Sequence, residues 1–336
     1  MNTSLLTVTD LVKTYPGRGG PVRAVDGVSL DIAPGETYGL VGESGSGKST
    51  LARCVLRFTR ADSGTIEFAG HDLGRLPERE LRRLRARIQI VFQHPHGSLN
   101  RRHAIADIIA APLVAHRTGS REARAARVRE LLDLVQLPAA IARRRPRELS
   151  GGQAQRVAIA RALALRPEFV VLDEAVSALD VSVRAQILNL LAELQRELGL
   201  TYLFISHDLA VVRYVAQRVG VMYRGRLVEQ AGRADLFGAP RHPYTRMLLD
   251  AVPVADPGRQ RERMAAAAGG GDPADDTPVT GCRFRPRCPV GRDDARCATE
   301  DPALTAPGGS ATLVACHYPD RTAAGPPSTP STLESR

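Results

Sequence analysis

The chain has 336 residues, of which 43% are hydrophobic, and a net charge of +10. This composition excludes an intrinsically disordered chain, and the length allows one large domain with an addition, or two domains. No apolar run approaches the roughly 18 residues of a membrane-spanning helix, and the N-terminus lacks a secretory signal, so we expect a cytoplasmic protein. Among 46 basic residues only Lys13 and Lys48 are lysines, so the charge indicates arginine bias rather than binding of nucleic acid.

The first third of the chain alternates loosely between apolar and polar residues, as strands do. Predicted strands cover residues 4–9, 22–32, 37–41, 64–68 and 87–92. The strand at 37–41 leads into a glycine-rich loop and then into a predicted helix at 51–57. Residues 42–49 of this loop match G-x-x-x-x-G-K-[ST] in the strand–loop–helix context that a phosphate loop requires.

The phosphate loop predicts a nucleoside triphosphate site. Glycines let backbone N–H groups converge on phosphate oxygens, and a helix N-terminus adds partial positive charge there. We expect Lys48 to reach the β- and γ-phosphates and the Ser49 hydroxyl to ligate Mg²⁺. The predicted nucleotide-binding residues of the loop are Gly42, Glu43, Ser44, Gly45, Ser46, Gly47, Lys48, Ser49 and Thr50. The loop alone does not distinguish a kinase, a GTPase, a helicase and a transporter.

The middle of the chain predicts helices and then alternating elements. Residues 103–165 are helical by pattern, with apolar spacing near 3.6 at 121–135 and 153–165. Buried strands are predicted at 169–172, 201–206 and 220–223, and helices at 181–198 and 208–216. This alternation predicts a largely parallel α/β sheet into which the block at 103–165 is inserted.

Four polar elements follow the phosphate loop in order. They are Gln93 at a strand end, Ser150-Gly151-Gly152-Gln153 at a helix start, Asp173-Glu174 after an apolar strand, and His207 after another strand. Each has an ordinary structural explanation by itself, as a helix cap, a solvated loop or a structural histidine. In this order behind a phosphate loop, the functional interpretation is favoured.

These elements fit phosphoryl chemistry as a set. We expect Asp173 to bind Mg²⁺, Glu174 to orient and deprotonate a water, and His207 to hydrogen-bond the γ-phosphate. The predicted catalytic residues are therefore Glu174, His207 and Lys48. The segment Ser150-Gly151-Gly152 forms a second anion-binding helix start. The two phosphate sites either face one nucleotide within the chain or face nucleotides across a dimer.

Residues 149–153 resemble the signature sequence of ABC-type ATPases, and residues 5–250 resemble the nucleotide-binding domain of that family. The resemblance implies an α/β P-loop NTPase fold, with an ABC-type nucleotide-binding domain at 1–252 and a helical subdomain at about 94–165. It also implies a head-to-tail pair, in which the signature of one subunit closes over ATP bound to the other. The further ATP-site residues that it implies are Tyr15 for adenine stacking, Gln93 with Ser49 and Asp173 for Mg²⁺, Gln153 in the signature, and Asp180 in the loop crossing the dimer.

Several segments are more similar to the oligopeptide/dipeptide importers of this family, at residues 40–45, 91–93, 98–102, 176–183 and 241–245. This resemblance implies an ATP-hydrolysing subunit, peripheral on the cytoplasmic face of the cell membrane, that energises uptake of di- or oligopeptides. The implied partners are two membrane permease subunits, an extracytoplasmic solute-binding protein, and a sister ATPase in a heterodimer, with a homodimer as the alternative. Residues 98–102 are similar to the second ATPase of such systems.

Other functions stay open within and beyond this branch. The branch also carries nickel, opines, sugars and glutathione, and the ATPase sequence does not select among them. A soluble ABC-type ATPase acting on nucleic acid or ribosomes is less favoured, because this chain has one nucleotide domain and no heptad run. Departures from the family pattern occur at His94, Ala154 and Ala175. Ala175 replaces a usual proline and leaves the backbone after Glu174 freer.

The composition changes at about residue 253 and predicts a flexible linker at 253–280, a Cys-rich extension at 281–318 and a disordered tail at 319–336. Cys282, Cys288, Cys297 and Cys316 are spaced C-x5-C-x8-C-x18-C, unlike the paired C-x2-C of common zinc sites. We predict a [4Fe–4S] cluster on these four thiolates, whose charge the intervening arginines would offset. Zinc and a metal-free set of thiols are the alternatives. Cys54 is predicted to be a buried packing residue.

Overall fold

The computed structural model describes residues 4–17, 20–93, 95–252 and 280–323. The strands are β1 (Leu6–Gly17), β2 (Gly20–Ile32), β3 (Thr37–Val41), β4 (Ser63–Phe68), β5 (His71–Asp72), β6 (Ile88–Val91), β7 (Phe169–Asp173), β8 (Thr201–Ser206), β9 (Arg218–Tyr223), β10 (Arg226–Gly232) and β11 (Leu313–Val314). The helices are α1 (Lys48–Val55), α2 (Glu78–Arg87), α3 (Pro95–Ser98), α4 (Ile105–Ala115), α5 (Arg121–Leu134), α6 (Gly151–Leu163), α7 (Val181–Leu198), α8 (Leu209–Val215), α9 (Arg233–Gly238), α10 (Pro243–Asp250), α11 (Ala295–Thr299) and α12 (Pro319–Ala323). The short α12 lies at the start of the predicted tail. The rest of the tail, and almost all of the predicted linker, lie outside the described residues.

Within these ranges, seven strands form a central sheet in the order β11-β10-β9-β3-β8-β7-β6. From β9 to β6 the neighbouring strands are parallel, whereas β10 and β11 are antiparallel to their neighbours. The predicted α/β class is therefore confirmed. A second, antiparallel sheet has the order β2-β1-β4-β5, and the sequence pattern did not separate its strands from those of the central sheet.

The central sheet is buried on both faces, which explains why β7 reads as a continuous apolar run. Val170 and Leu172 belong to a core shared with the helices on one face. Phe169 and Val171 belong to a second core under the antiparallel sheet, where the rings of Phe68 and Phe169 lie 6.2 Å apart. The ends of the parallel strands are therefore held in place by packing on both faces of the sheet.

The predicted helical subdomain contains α3 to α6, and two of these helices, α5 and α6, begin at a serine cap. The Ser120 hydroxyl accepts a hydrogen bond from the Ala123 N–H at 3.2 Å, at the start of α5. At the start of α6, the Ser150 hydroxyl accepts from the Gln153 N–H at 3.3 Å, and the Gln153 side chain accepts from the Ser150 N–H at 3.2 Å. This reciprocal pair satisfies two otherwise unpaired donors. None of the helices in the described ranges has the length and apolar character needed to cross a membrane.

The cysteine-rich segment docks onto the edge of the central sheet. Its strand β11 pairs with β10, where Val314 lies opposite Glu229. Its Arg283 donates to the Arg224 carbonyl at 2.8 Å and forms an ion pair with Asp26, which is buried in β2. This segment is therefore attached both to the central sheet and to the antiparallel sheet.

Candidate functional site

The phosphate loop connects β3 to α1 with a backbone that requires glycine at two positions. Gly42 has a φ of 152°, and a Cβ there would lie 2.2 Å from the carbonyl oxygen of Met222. Gly47 caps α1 with a φ of 106°, and a Cβ there would lie 2.0 Å from the carbonyl oxygen of Ala24. The backbones of β2 and β9 contact the loop directly, so its shape depends on the absence of side chains.

Lys48 is the first residue of α1, and its side chain folds back into the loop. The ammonium donates to the carbonyls of Gly42 at 2.7 Å and Glu43 at 2.8 Å, and to the Ser46 hydroxyl at 3.2 Å. Burial lowers the pKa of Lys48, and nearby carboxylates offset part of this effect. A charged phosphate oxygen is a stronger hydrogen-bond acceptor for the ammonium than a carbonyl. Lys48 can therefore replace its hydrogen bonds to the loop carbonyls with bonds to a nucleotide phosphate.

Ser49 and Asp173 come together beside this lysine, as the sequence predicted for a Mg²⁺ site. The Ser49 hydroxyl donates to Asp173 Oδ1 at 3.1 Å, across 124 positions of sequence. Burial raises the pKa of Asp173, and the hydrogen bond from Ser49 offsets part of this rise. A hydroxyl and a partly buried carboxylate at this spacing are ligands that Mg²⁺ accepts.

Glu174, Gln93 and His207 form a second group of side-chain contacts, beside Ser49 and Asp173. Gln93 Nε2 donates to Glu174 Oε2 at 2.6 Å, and His207 Nδ1 lies 3.4 Å from the same oxygen. Glu174 adopts a φ of 48°, and its carbonyl accepts from the Ser177 N–H at 3.1 Å and the Ser177 hydroxyl at 2.9 Å. This turn holds the backbone of Glu174 even though Ala175 occupies the position of the usual proline.

The helix start at Ser150 lies in a different group of contacts. A Cβ at Gly152 would lie 2.6 Å from Val183 Cγ1, and a Cβ at Gly151 would lie 3.5 Å from Leu179. Asp180 is the N-cap residue of α7. These residues therefore belong to the junction of α6 and α7. By contrast, Lys48 begins α1, while Asp173, Glu174 and His207 lie at the ends of β7 and β8.

Tyr15 lies near the end of β1, where it pairs with Val22 of β2. The Lys13 ammonium lies 5.5 Å from the centre of the Tyr15 ring and forms an ion pair of 2.7 Å with Asp62. Thus both lysines of the chain lie close to residues that the sequence assigned to nucleotide binding.

The four C-terminal cysteines have free thiols, and the Cys282 N–H donates to the Cys297 carbonyl at 2.9 Å. A Cβ at Gly291 would lie 2.7 Å from Cys297 Sγ and 3.9 Å from Cys288 Sγ, so these two sulfurs flank one glycine. Cys288 Sγ accepts from the Gly291 N–H at 3.2 Å, and Cys316 Sγ accepts from the Tyr318 N–H at 3.4 Å. In the part of the chain that the structure describes, however, no three His, Cys, Asp or Glu side chains are arranged to hold a metal ion. The side-chain geometry does not support the predicted iron–sulfur cluster.

The sequence did not predict the contact between the C-terminal segment and the phosphate loop. Arg287 forms two hydrogen bonds of 2.8 Å with the carboxylate of Glu43, and the Tyr244 hydroxyl accepts from the Glu43 N–H at 2.9 Å. One signal was present in the sequence, because an acidic residue in an anion-binding loop requires a cation nearby. The identity of that cation depends on the fold.

A glycine-rich phosphate loop, a lysine inside it and an acidic strand end beside it define a P-loop nucleoside triphosphatase. A family model described as "ABC transporter" matches residues 25–177, and one described as "Oligopeptide/dipeptide transporter, C-terminal region" matches residues 228–297. The chain belongs to the ABC transporter family, within its oligopeptide/dipeptide branch, and is an ATPase of that family.

Similar proteins extend over nearly the whole chain. A Brucella ovis protein named for ATP binding in peptide import is 49% identical over 302 residues, which cover 90% of this chain and 94% of that protein. The oligopeptide transport ATP-binding protein AppF of Bacillus subtilis is 45% identical over 322 residues, covering 94% of this chain and 97% of AppF. A solved dimeric, post-hydrolysis structure of the ATP-binding cassette MJ0796, bound to ADP and phosphate, is 31% identical with a TM-score of 0.62. The similarity extends over 68% of this chain and 98% of the MJ0796 chain.

Proposed function

We propose that the chain binds and hydrolyses ATP to power the import of di- and oligopeptides. The observation that carries this proposal is the match of residues 228–297 to the C-terminal region of oligopeptide/dipeptide transporters. The names of the Brucella and Bacillus relatives, which specify peptide import and oligopeptide transport, support the same cargo.

ATP turnover of the assembled transporter tests the cargo. Peptides presented by the solute-binding protein are expected to stimulate turnover, and nickel, opines, sugars and glutathione are expected to have no effect. ATP turnover that is unchanged by every peptide but rises with one of those solutes would reassign the cargo and leave the ATPase function intact.

In the proposed reaction, water attacks the γ-phosphorus, the bond to the β–γ bridging oxygen breaks, and ADP leaves with the bonding electrons. Glu174 accepts the proton of the attacking water, while Gln93 and His207 orient its carboxylate. Lys48 exchanges its loop carbonyls for the β- and γ-phosphate oxygens, and His207 hydrogen-bonds the γ-phosphate. Mg²⁺ would be held by Ser49, Asp173 and Gln93, and when bound it neutralises charge on the phosphates.

The complete ATP site is proposed to form between two subunits arranged head to tail. The support is the separation of the two groups of residues: Lys48 begins α1 after the loop that follows β3, and Glu174 follows β7, whereas Ser150 to Gln153 and Asp180 lie at the junction of α6 and α7. The signature of one subunit then closes over ATP held by the other, with Tyr15 stacked on the adenine. A sister ATPase is the proposed partner, a second copy of this chain is the alternative, and a dimeric relative has a similar fold.

A groove beside α1 and α2 is proposed to dock a permease subunit on the cytoplasmic face of the membrane. The groove has a volume of about 160 Å³ and is lined mostly by apolar residues, among them Phe58, Leu73, Leu81 and Ile90. Its polar lining residues are Arg85, Gln89 and His116. Phe58 is 56% exposed, although a phenylalanine is favoured inside a protein. The match to the oligopeptide/dipeptide transporters implies a membrane partner, and a short amphipathic segment of a permease would cover this aromatic ring.

Replacing Phe58 by Asp is expected to disrupt assembly with the permease. Losing one buried interface aromatic typically costs about 2 kcal/mol or more, so affinity is expected to fall roughly 30-fold. ATP affinity of the isolated chain is expected to stay unchanged. Val114→Asp is the matched control, because Val114 is 54% exposed on α4 and does not line the groove. Wild-type yields of an active complex with Phe58→Asp would contradict the docking proposal.

For Cys282, Cys288, Cys297 and Cys316, a [4Fe–4S] cluster is our proposal and zinc the alternative. The support is that the sulfurs of Cys288 and Cys297 flank Gly291 and that backbone N–H groups already donate to the sulfurs of Cys288 and Cys316. Because the side chains do not converge as described, loading a metal requires their rotamers to change. Iron, acid-labile sulfide and zinc content of the anaerobically purified chain, compared with Cys288→Ser, tests this. A metal-free wild-type chain would refute both versions.

A further inference from the structure

Glu43 places a negative charge inside a loop that binds anions. It directly follows Gly42, its side chain is 36% exposed, and its carbonyl accepts one of the hydrogen bonds of the Lys48 ammonium at 2.8 Å. A carboxylate beside a triphosphate weakens binding through like-charge repulsion unless a cation offsets it. The loop therefore needs a partner for this side chain.

Arg287 is that partner, from a position 244 residues later in the chain. Its two terminal nitrogens donate to the two carboxylate oxygens of Glu43, each at 2.8 Å. The guanidinium also lies 5.9 Å from the ring centres of Tyr223 and Phe284, and the side chain is only 10% exposed. A bidentate pair on an arginine held by aromatic rings has a defined geometry, unlike an exposed ion pair between flexible side chains.

The backbone of Glu43 is held from the same direction. Its N–H donates to the hydroxyl of Tyr244, a fully buried residue of α10. The Tyr244 ring lies 4.6 Å from that of Tyr223 and 5.4 Å from that of Phe284, so the same aromatic cluster supports both contacts. The Glu43 carbonyl accepts a hydrogen bond from the Lys48 ammonium. Arg287 and Tyr244 therefore hold the residue that positions this ammonium.

We propose that Arg287 is a positioning residue for ATP binding, which neutralises Glu43 and, together with Tyr244, fixes the loop segment that holds Lys48. The C-terminal segment is then a part of the nucleotide site. This role goes beyond the proposed import function and does not depend on whether the cysteines hold a metal.

Binding of the non-hydrolysable analogue adenylyl-imidodiphosphate to the purified full-length chain, in Mg²⁺, tests this role by titration calorimetry. Arg287→Gln leaves Glu43 uncompensated, so the Kd is expected to rise about tenfold. Glu43→Gln removes the repulsion together with the ion pair, and its Kd is expected to rise less than about threefold. The double variant is expected to match Glu43→Gln, so that removal of the carboxylate rescues the loss of Arg287. A purely structural contribution of Arg287 would not be rescued in this way.

Arg285→Gln is the matched control, because Arg285 lies in the same short turn and donates instead to the Arg292 carbonyl. Nucleotide affinity equal to that of the wild type in Arg287→Gln, or a double variant as weak as Arg287→Gln, would overturn the proposal. If Arg287→Gln does not fold, Tyr244→Phe decides: a Kd about threefold higher is expected, and an unchanged Kd would overturn the role. A wild-type chain that fails to bind the analogue would instead refute the assigned ATP site.

Discussion

Replacing Glu174 by Gln is expected to lower ATP turnover by about 10²- to 10⁴-fold, the usual contribution of a general base. Glutamine has the same size and keeps a hydrogen bond to Gln93, but it cannot accept the proton of the attacking water. Binding of ATP is expected to remain, because the contacts of Lys48 and Ser49 are unaffected. Phosphate release in a single turnover is the measurement.

The same variant is expected to accumulate an ATP-bound dimer with the proposed partner ATPase, because the closed state forms but does not decay by hydrolysis. Size-exclusion chromatography with ATP detects it. Glu168→Gln is the matched control, since Glu168 precedes β7 as Glu174 follows it and its side chain pairs with Arg87 at the surface, away from the phosphate loop. Turnover of Glu174→Gln within twofold of the wild type would exclude Glu174 as the base, and failure to dimerise would count against the head-to-tail site.

Gly47→Ala is expected to reduce ATP affinity by roughly 10²-fold or more. The Cβ would lie 2.0 Å from the Ala24 carbonyl oxygen, and alanine would have to adopt a φ of 106°. Overpacking and backbone strain each cost about 1–3 kcal/mol. Both are relieved when the loop leaves the conformation that binds phosphate, so ATP binds more weakly. Titration with ATP and Mg²⁺ measures the loss.

Gly35→Ala separates the clash from the backbone strain. Gly35 also has a left-handed backbone, with a φ of 74°, but nothing lies within 4 Å of a Cβ there. This control is expected to lose about 1 kcal/mol of folding stability and no ATP affinity. If Gly47→Ala binds ATP within threefold of the wild type, the described contact between the loop and β2 is wrong.

Features encoded by adjacent residues were predictable from the sequence. The phosphate loop at 42–49, the apolar strand ending in Asp173 and Glu174, and the capped helix start at Ser150 all appear where their local patterns place them. Strand β3 even has the predicted bounds, Thr37–Val41. The closeness of Ser49 and Asp173 was also predicted, because the carboxyl ends of parallel strands meet at one edge of a sheet. The expected adjacency of their two strands was wrong, since β8 lies between β3 and β7.

Other features had no local signal. The antiparallel sheet and strand β10 were not distinguished, because alternation identifies a strand but not its partner. The spacing of the cysteines suggested a metal site, but spacing does not determine side-chain direction, and the thiols do not converge in the described residues.

By itself, therefore, the sequence determined the chemistry of the nucleotide site, since loop shape, strand burial and helix capping are short-range properties of neighbouring residues. Only the tertiary structure decided which distant groups complete it. The contacts of Arg287 and Tyr244 with Glu43 join residues 244 and 201 positions apart. The pairing of β11 with β10 joins Val314 to Glu229, across the end of the nucleotide-binding domain. Such contacts follow from how the sheet edge is covered, and the C-terminal segment covers it beside the phosphate loop.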